Sequence, residues 1–209
     1  KFDLIVIGGG PGGYVGAIRA SQLGKKVAVI EKENLGGVCL NWGCIPTKAL
    51  LRAAELKQNI SHLGEFGIDI KGEIEINLER VVARSRKVAQ RLSGGVSHLM
   101  KKNKISVFNG VAKIEKKTSI GWQIVVSEKS DLFLEAPNIL LATGARARQI
   151  SGLEADGDKI VTYRDAMVPK TMPKSLLVIG SGAIGIEFAS FYNDMGVDVT
   201  IIEALDRIL

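Results

Sequence analysis

One pattern occurs twice in this chain, 172 residues apart, and it constrains the fold more than anything else in the sequence. An apolar run over residues 2–10 carries Gly8 and Gly10, with Gly13 completing a Gly-x-Gly-x-x-Gly spacing. A helix-period segment over 11–23 follows, and a second apolar run over 26–31 closes on Glu31. Periodicity reads this as strand, helix and strand, a βαβ unit. The second copy has an apolar run over 175–179, then Gly180, Gly182 and Gly185, then a run over 198–202 followed by Glu203. With 24 glycines in 209 residues, chance supplies about 0.3 matches to the bare glycine pattern, so a single match decides little. Two matches in the same context are different in kind. In that context the glycines admit a pyrophosphate to a helix N-terminus, and the carboxylate reaches a ribose hydroxyl. The chain reads as an α/β protein with two dinucleotide sites; a duplicated βαβ scaffold without ligands is the plainer alternative. Candidate contacts are Gly8, Gly10, Pro11, Gly13, Glu31 and Lys32 in the first site, and Gly180, Gly182, Ala183, Ile184, Gly185 and Glu203 in the second. At about 4 Å and an effective dielectric of about 20, Glu203 would repel a 2′-phosphate by about 4 kcal/mol before screening. NAD is therefore expected over NADP, with Arg207 nearby to soften the preference.

The only two cysteines, Cys39 and Cys44, are separated by four residues in the run Gly36-Gly37-Val38-Cys39-Leu40-Asn41-Trp42-Gly43-Cys44-Ile45-Pro46-Thr47-Lys48. A structural bridge over so short a loop constrains the chain little, and thiols in a chain without a secretion signal stay reduced. Structural zinc wants four Cys or His ligands, and the only histidines are His62 and His98. No metal site is expected. The pair reads as a redox-active disulfide facing a flavin, with inert thiols as the alternative. Pro46 suits the first turn of a helix over 46–56, which places Cys44 near its positive end and favours a thiolate. Lys48 is expected on that same turn.

Composition excludes several classes. With 46% hydrophobic and 24% charged residues, the chain has the make-up of a globular protein. No apolar stretch approaches the roughly 20 residues that span a bilayer, and 5% aromatics does not make a stacking surface for single-stranded nucleic acid. The net charge of +6 comes from basic residues scattered over several segments, which reads as a solvated surface. Neither nucleic-acid binding nor membrane insertion is expected, and with no n-region or cleavage site at residues 1–3 a soluble, intracellular chain is expected. Further along, 77–102 reads as a long helix with an apolar stripe of Val81, Val88, Leu92, Val96, Leu99 and Met100, weakened at Gly94-Gly95. Residues 105–109 read as a parallel strand, 111–134 as an antiparallel meander, and 138–142 as a returning strand.

In order, the first glycine motif, the cysteine pair with Pro46 and Lys48, the segment Leu141-Ala142-Thr143-Gly144-Ala145 and the second glycine motif resemble the pyridine nucleotide-disulfide oxidoreductases along essentially the whole chain. The cysteine run is most similar to that of the family's dihydrolipoyl-oxidising dehydrogenases. It differs from the Cys-Val-Asn-Val-Gly-Cys-Val-Pro run of glutathione and mercuric reductases. Val38 and Trp42 stand where those dehydrogenases commonly have Thr and Val.

The resemblance implies FAD in the first site, with Gly36, Gly37, Val38, Cys39, Lys48, Ala112, Ala142, Thr143 and Gly144 added to its contacts, and NAD in the second. It implies Cys39 as the thiol that exchanges with a dihydrolipoyl group and Cys44 as the thiolate against the flavin. Lys48 is implied near flavin N5, with Glu187 paired to it near the nicotinamide. A solvated lysine, an exposed helix acid and a simple turn at 143–144 are the plainer readings. His62 and His98 lack the His-Pro context of the family's acid-base histidine, and neither is assigned to catalysis. The fold implied is a Rossmann-like FAD-binding three-layer β/β/α domain with an antiparallel meander over 1–145, a connector over 146–173, and the first βαβ unit of a second Rossmann-like NAD domain over 174–209. Because one βαβ unit is only part of a dinucleotide fold, the chain is expected to be an N-terminal portion, catalytically incomplete alone. The implied partners are the lipoyl domain of an acyltransferase or of a glycine-cleavage carrier protein, and a second copy in a homodimer. Another FAD-dependent disulfide reductase, or a non-catalytic FAD-binding module, are the alternatives.

Overall fold

A computed structural model describes residues 1–127 and 132–208. Residues 128–131, inside the expected meander, and Leu209, the last residue of the expected second domain, lie outside the described residues. The chain packs as two compact units, one of Lys1–Asn41 with Ala89–Arg146 and one of Trp42–Val88 with Ala147–Leu209. Compactness thus groups 42–88 with residues 147–209.

In the first unit, β1 (Leu4–Ile7), α1 (Pro11–Gln22) and β2 (Val27–Glu31) form the first βαβ unit. Later come β3 (Ser106–Asn109), the meander β4 (Val111–Thr118), β5 (Gly121–Ser127) and β6 (Leu132–Ala136), and β7 (Asn138–Leu141). The parallel sheet has the order β3-β2-β1-β7. Side chains alternate across it as strand geometry demands. Ile5, Ile7, Ala28 and Ile30 pack on Ile124, Val126, Leu134 and Ala136 of the meander, while Val6, Val27 and Val29 pack on Ala17 of α1 and on Val96 and Met100 of α4 (Leu78–Lys102). Burial on both faces is why these strands read as unbroken apolar runs. The result is the three-layer β/β/α arrangement expected.

The second unit holds α3 (Cys44–Ser61), a 3₁₀ turn at Leu63–Phe66, α5 (Tyr163–Ala166), β8 (Ser175–Ile179), α6 (Ala183–Asp194) and β9 (Asp198–Ile202). β8 and β9 pair in parallel. Leu50 and Ala54 of α3 pack with Phe188, Phe191 and Tyr192 of α6 and with Met167. Lys57 Nζ donates to the Asp194 carbonyl at 2.6 Å, satisfying an acceptor at the end of α6 that the helix itself leaves open.

Three sequence expectations need correction. The helix expected over 46–56 begins at Cys44, after the N-cap Gly43, and runs to Ser61, so Lys48 lies on its second turn. Proline is tolerated anywhere in a first turn, where its missing N–H goes unused, so Pro46 does not mark the start. A six-residue helix, α2 (Gly37–Trp42), was not anticipated; it is too short to show a period. Helix α4 is continuous through Gly94-Gly95, and its buried positions include Ser85, Ala89, Val96 and Met100, while Leu92 and Leu99 are 38% and 39% exposed. Its inward face is built partly from small residues, which a hydrophobic count passes over.

Candidate functional site

At the carboxyl end of β1 the chain turns through Gly8, at φ +104°, into α1 with Pro11 at its first turn. A Cβ on Gly8 would overlap the Ala142 carbonyl just past β7, and one on Gly13 the Gly8 carbonyl. Glycine is fixed at both positions by the closeness of backbone to backbone. Helix α1 has no side-chain cap and no acidic residue in its first turn, which leaves its first N–H groups and its positive end to an anion. Glu31 Oε2 accepts the Gly9 N–H at 2.6 Å and Oε1 accepts the Glu33 N–H at 2.8 Å. Each oxygen keeps a lone pair for a hydroxyl donor.

A second loop closes over this turn. The Gly36 N–H donates to the Gly9 carbonyl at 2.8 Å, and a Cβ on Gly37 would lie 2.6 Å from the Gly10 Cα. Buried Asn41 holds the loop by donating from Nδ2 to the Leu35 and Gly37 carbonyls at 3.0 and 2.9 Å, and Ser93 Oγ donates to the Leu35 carbonyl at 2.7 Å. Val38 and half-buried Cys39 follow on α2. The Gly110 N–H donates to the Glu31 carbonyl at 2.9 Å, which sets the β3–β4 corner beside β2. Ala112, two residues on, packs into the layer between sheet and meander. Lys32, Thr143 and Gly144 are exposed.

The second turn repeats the first bond by bond. Gly8 donates to the Ile30 carbonyl and Gly180 to the Ile202 carbonyl, both at 2.8 Å. Gly9 donates to Glu31 at 2.6 Å, and Ser181 to Glu203 at 2.7 Å. Glu33 donates to Glu31 at 2.8 Å, and Leu205 to Glu203 at 2.9 Å. A Cβ on Gly185 would overlap the Gly180 carbonyl, as one on Gly13 would the Gly8 carbonyl. Ser181 Oγ adds a further donor at 2.7 Å. The Leu205 N–H, the Ser181 N–H and the Ser181 hydroxyl together hold the Glu203 carboxyl down at about 2, so it stays ionised at neutral pH. Gly182 is the N-cap of α6, whose first turn carries exposed Ala183 and Ile184 and no acidic residue.

Cys44 is exposed as the first residue of α3, and both cysteines are present as thiols. Lys48 Nζ lies 3.5 Å from Glu187 Oε1, with side chains 68% and 32% exposed. A pair so open to solvent contributes less than about 1 kcal/mol to stability. Trp42, at the end of α2, has the Arg86 guanidinium 4.2 Å from its ring centre and that of Arg164 at 5.2 Å. Asn41, Ser93, Arg86 and Arg164 were not singled out from sequence. Each acts through a contact distant in sequence or through a backbone carbonyl, neither of which leaves a pattern. Among the described residues no group of three or more His, Cys, Asp or Glu is placed to hold a metal, and no helix is long and apolar enough to cross a membrane.

Each turn offers an uncapped helix N-terminus, a glycine whose Cβ would overlap a backbone carbonyl (Gly13 in the first, Gly185 in the second), and a carboxylate with acceptor capacity to spare, features that suit an anionic, hydroxyl-bearing ligand. A dihydrolipoyl dehydrogenase of Rhizobium etli is 50% identical over 225 residues, covering all of this chain and 46% of that protein. One of Zymomonas mobilis is 51% identical over 208 residues, again covering the whole chain and 44% of the relative. The crystal structure of LpdA from Mycobacterium tuberculosis superposes with a TM-score of 0.87 at 27% identity, over 98% of this chain and 45% of that one. The chain thus spans about half the length of the relatives it matches. The family model for pyridine nucleotide-disulphide oxidoreductases matches residues 2–209, and the chain belongs to that family.

Proposed function

We propose that this chain is the disulfide-bearing half of a dihydrolipoyl dehydrogenase, with FAD held at the first glycine turn and NAD at the second. The repeat of one hydrogen-bonded turn at Glu31 and at Glu203 carries the reading, and the family match and the names of the relatives support it. The first turn of α1 would take one pyrophosphate and Glu31 a ribose hydroxyl; the first turn of α6 and Glu203 would do the same for the other. The ionised Glu203 repels a 2′-phosphate and so favours NAD. Bound FAD would supply two-electron chemistry between the thiol pair and the nicotinamide.

In their oxidised form, Cys39 and Cys44 exchange with the substrate. A dihydrolipoyl thiolate attacks the Cys39 sulfur, breaks the Cys39–Cys44 bond and forms a mixed disulfide, with Cys44 leaving as a thiolate. The second substrate thiol, losing its proton, then displaces Cys39. The substrate departs as a cyclic disulfide, and two electrons remain on the cysteine pair. Cys44 stands exposed at the start of α3, while Lys48, paired with Glu187, would sit by the flavin. The lipoyl-bearing partner is a domain of an acyltransferase or of a glycine-cleavage carrier, in the bacterial cytoplasm or the mitochondrial matrix. The complete enzyme is a homodimer, and the 209-residue chain alone does not turn over.

The test is the visible spectrum of the purified protein with FAD, before and after anaerobic dihydrolipoamide. A protein-bound flavin spectrum that changes with the dithiol, and does so only when both cysteines are present, supports the reading. A protein that binds no FAD, or whose bound flavin ignores the dithiol, overturns it.

A further inference from the structure

Trp42 lies in the redox run, between the two cysteines in sequence, and the exchange chemistry gives it no task. Two arginines from different elements meet its ring: Arg86 from α4 at 4.2 Å and Arg164 from α5 at 5.2 Å. Both anchors are themselves held. Next to Arg86, Arg84 Nη1 donates to the Ala49 carbonyl of α3 at 3.0 Å, and an Arg86 nitrogen lies 3.4 Å from the sulfur of fully buried Met167. Arg164 rides on α5, which has a capping box of Thr162 and Asp165, and the Tyr192 hydroxyl ties α5 to α6 by donating to the Ala166 carbonyl at 2.7 Å. Burial lowers the pKa of Arg86 from its ordinary value, and a partly desolvated guanidinium is held more strongly by an aromatic face. A single glycine separates Trp42 from Cys44. Gly43 caps α3 without a side-chain hydrogen bond, and its anchor at the point where the thiol enters the helix is a backbone one, its carbonyl accepting the Thr47 N–H at 3.0 Å.

We propose that Trp42 is a positioning residue for Cys44: Arg86 and Arg164 hold its indole, and the indole fixes the Trp42–Gly43–Cys44 turn that delivers the thiol to the start of α3. A thiol held at that exposed position is the one the exchange chemistry would draw on from α3. The redox consequence rests on the function proposed above; the placement of the thiol does not.

The test uses the complete protein in a Cys39→Ser background, measuring the rate of Cys44 alkylation by iodoacetamide at one fixed pH, with thermal midpoints alongside. Trp42→Val and Arg86→Met are expected to slow alkylation about three- to tenfold, because a thiol no longer held in its exposed position at the start of α3 is presented to the reagent less often. Trp42→Phe, which keeps an aromatic face, and Arg86→Lys, which keeps the charge, should stay within about twofold of the parent. Arg164→Met, at a half-buried position of the short helix α5, serves if Arg86→Met fails to fold, and is expected to slow alkylation at least about twofold. Alkylation by Trp42→Val at or above the parent rate, or Trp42→Phe as slow as Trp42→Val, overturns the proposal. In the protein with both cysteines, dihydrolipoamide-dependent flavin reduction reports separately on the function. Slowed alkylation with no flavin reduction in the parent would sustain the positioning role while removing the dehydrogenase reading.

Discussion

Adding one methyl group at Gly13 and at Gly94 is predicted to change stability in opposite directions. At Gly13 the new Cβ overlaps the Gly8 carbonyl oxygen and lies 2.9 Å from its carbon and 3.4 Å from Val6 Cγ1. These neighbours belong to the end of β1 and its turn. They cannot withdraw without disturbing the register of Ile7 with Ile30 and Leu141. Overlap with fixed backbone belongs at the upper end, about 3 kcal/mol, of what overpacking costs, and the better helix propensity of alanine returns about 1. A net loss of about 2 kcal/mol is expected for Gly13→Ala. At Gly94 nothing lies within 4 Å of the added Cβ, and the position is inside the continuous helix α4. Gly94→Ala should therefore gain about 1 kcal/mol. With a urea m value of about 2 kcal/mol/M, the two midpoints should part by about 1.5 M. Urea titration of both variants, followed by far-UV circular dichroism, measures this directly. A Gly13→Ala midpoint equal to or above that of Gly94→Ala would refute the close approach described for the first turn.

Replacing Asn41 with Leu removes two donors and leaves the Gly37 carbonyl without that partner; the expected cost is about 1–3 kcal/mol, seen in denaturation together with weaker FAD binding by fluorescence titration. For Glu203 the folded value of about 2 lies below the ordinary 4.5, so its stabilising effect is fully present above about pH 4.5 and is lost as pH falls toward 2. Glu203→Gln should flatten the fall of thermal midpoint across that window, and an acid limb as steep as the parent's would contradict it. Lys48→Met should shift stability by less than about 1 kcal/mol, since its partner Glu187 is 3.5 Å away in an open pair, yet in the complete enzyme it should slow turnover. A large loss of stability would assign Lys48 to the fold instead.

The strands and both glycine turns were legible because each residue there answers to a local rule: a doubly buried strand, a helix start, a backbone too close for a Cβ. Repetition made the reading strong, since Glu31 and Glu203 are uninformative singly and telling as a pair. The rest of the site is set by tertiary partners. Ser93 looks like an ordinary polar helix residue, and only the folded chain shows its hydroxyl on the Leu35 carbonyl. Asn41 is one of several polar residues in a glycine-rich run, and α2 is too short to declare itself. The inward face of α4 was misread because Ser85 and Ala89 are fully buried there while Leu92 is not. Close packing selected small side chains over apolar ones.

The order of strands in the parallel sheet has a consequence for the birth of the protein. β1 is central, and its two neighbours come from very different places in the chain: Leu4 pairs with Val27 on one side and with Asn138 on the other. The Asn138 side chain even reaches the Asp3 carbonyl, 135 residues away in sequence. At a synthesis rate of about 5–20 residues per second, one edge of β1 waits on the order of ten seconds for its partner. An open apolar edge is an invitation to wrong pairing. The wall behind Gly8, the Ala142 carbonyl, arrives only with that last strand. The turn encoded first is thus among the last to be completed, and nascent chains that stall before residue 138 should be the ones that aggregate or recruit a chaperone.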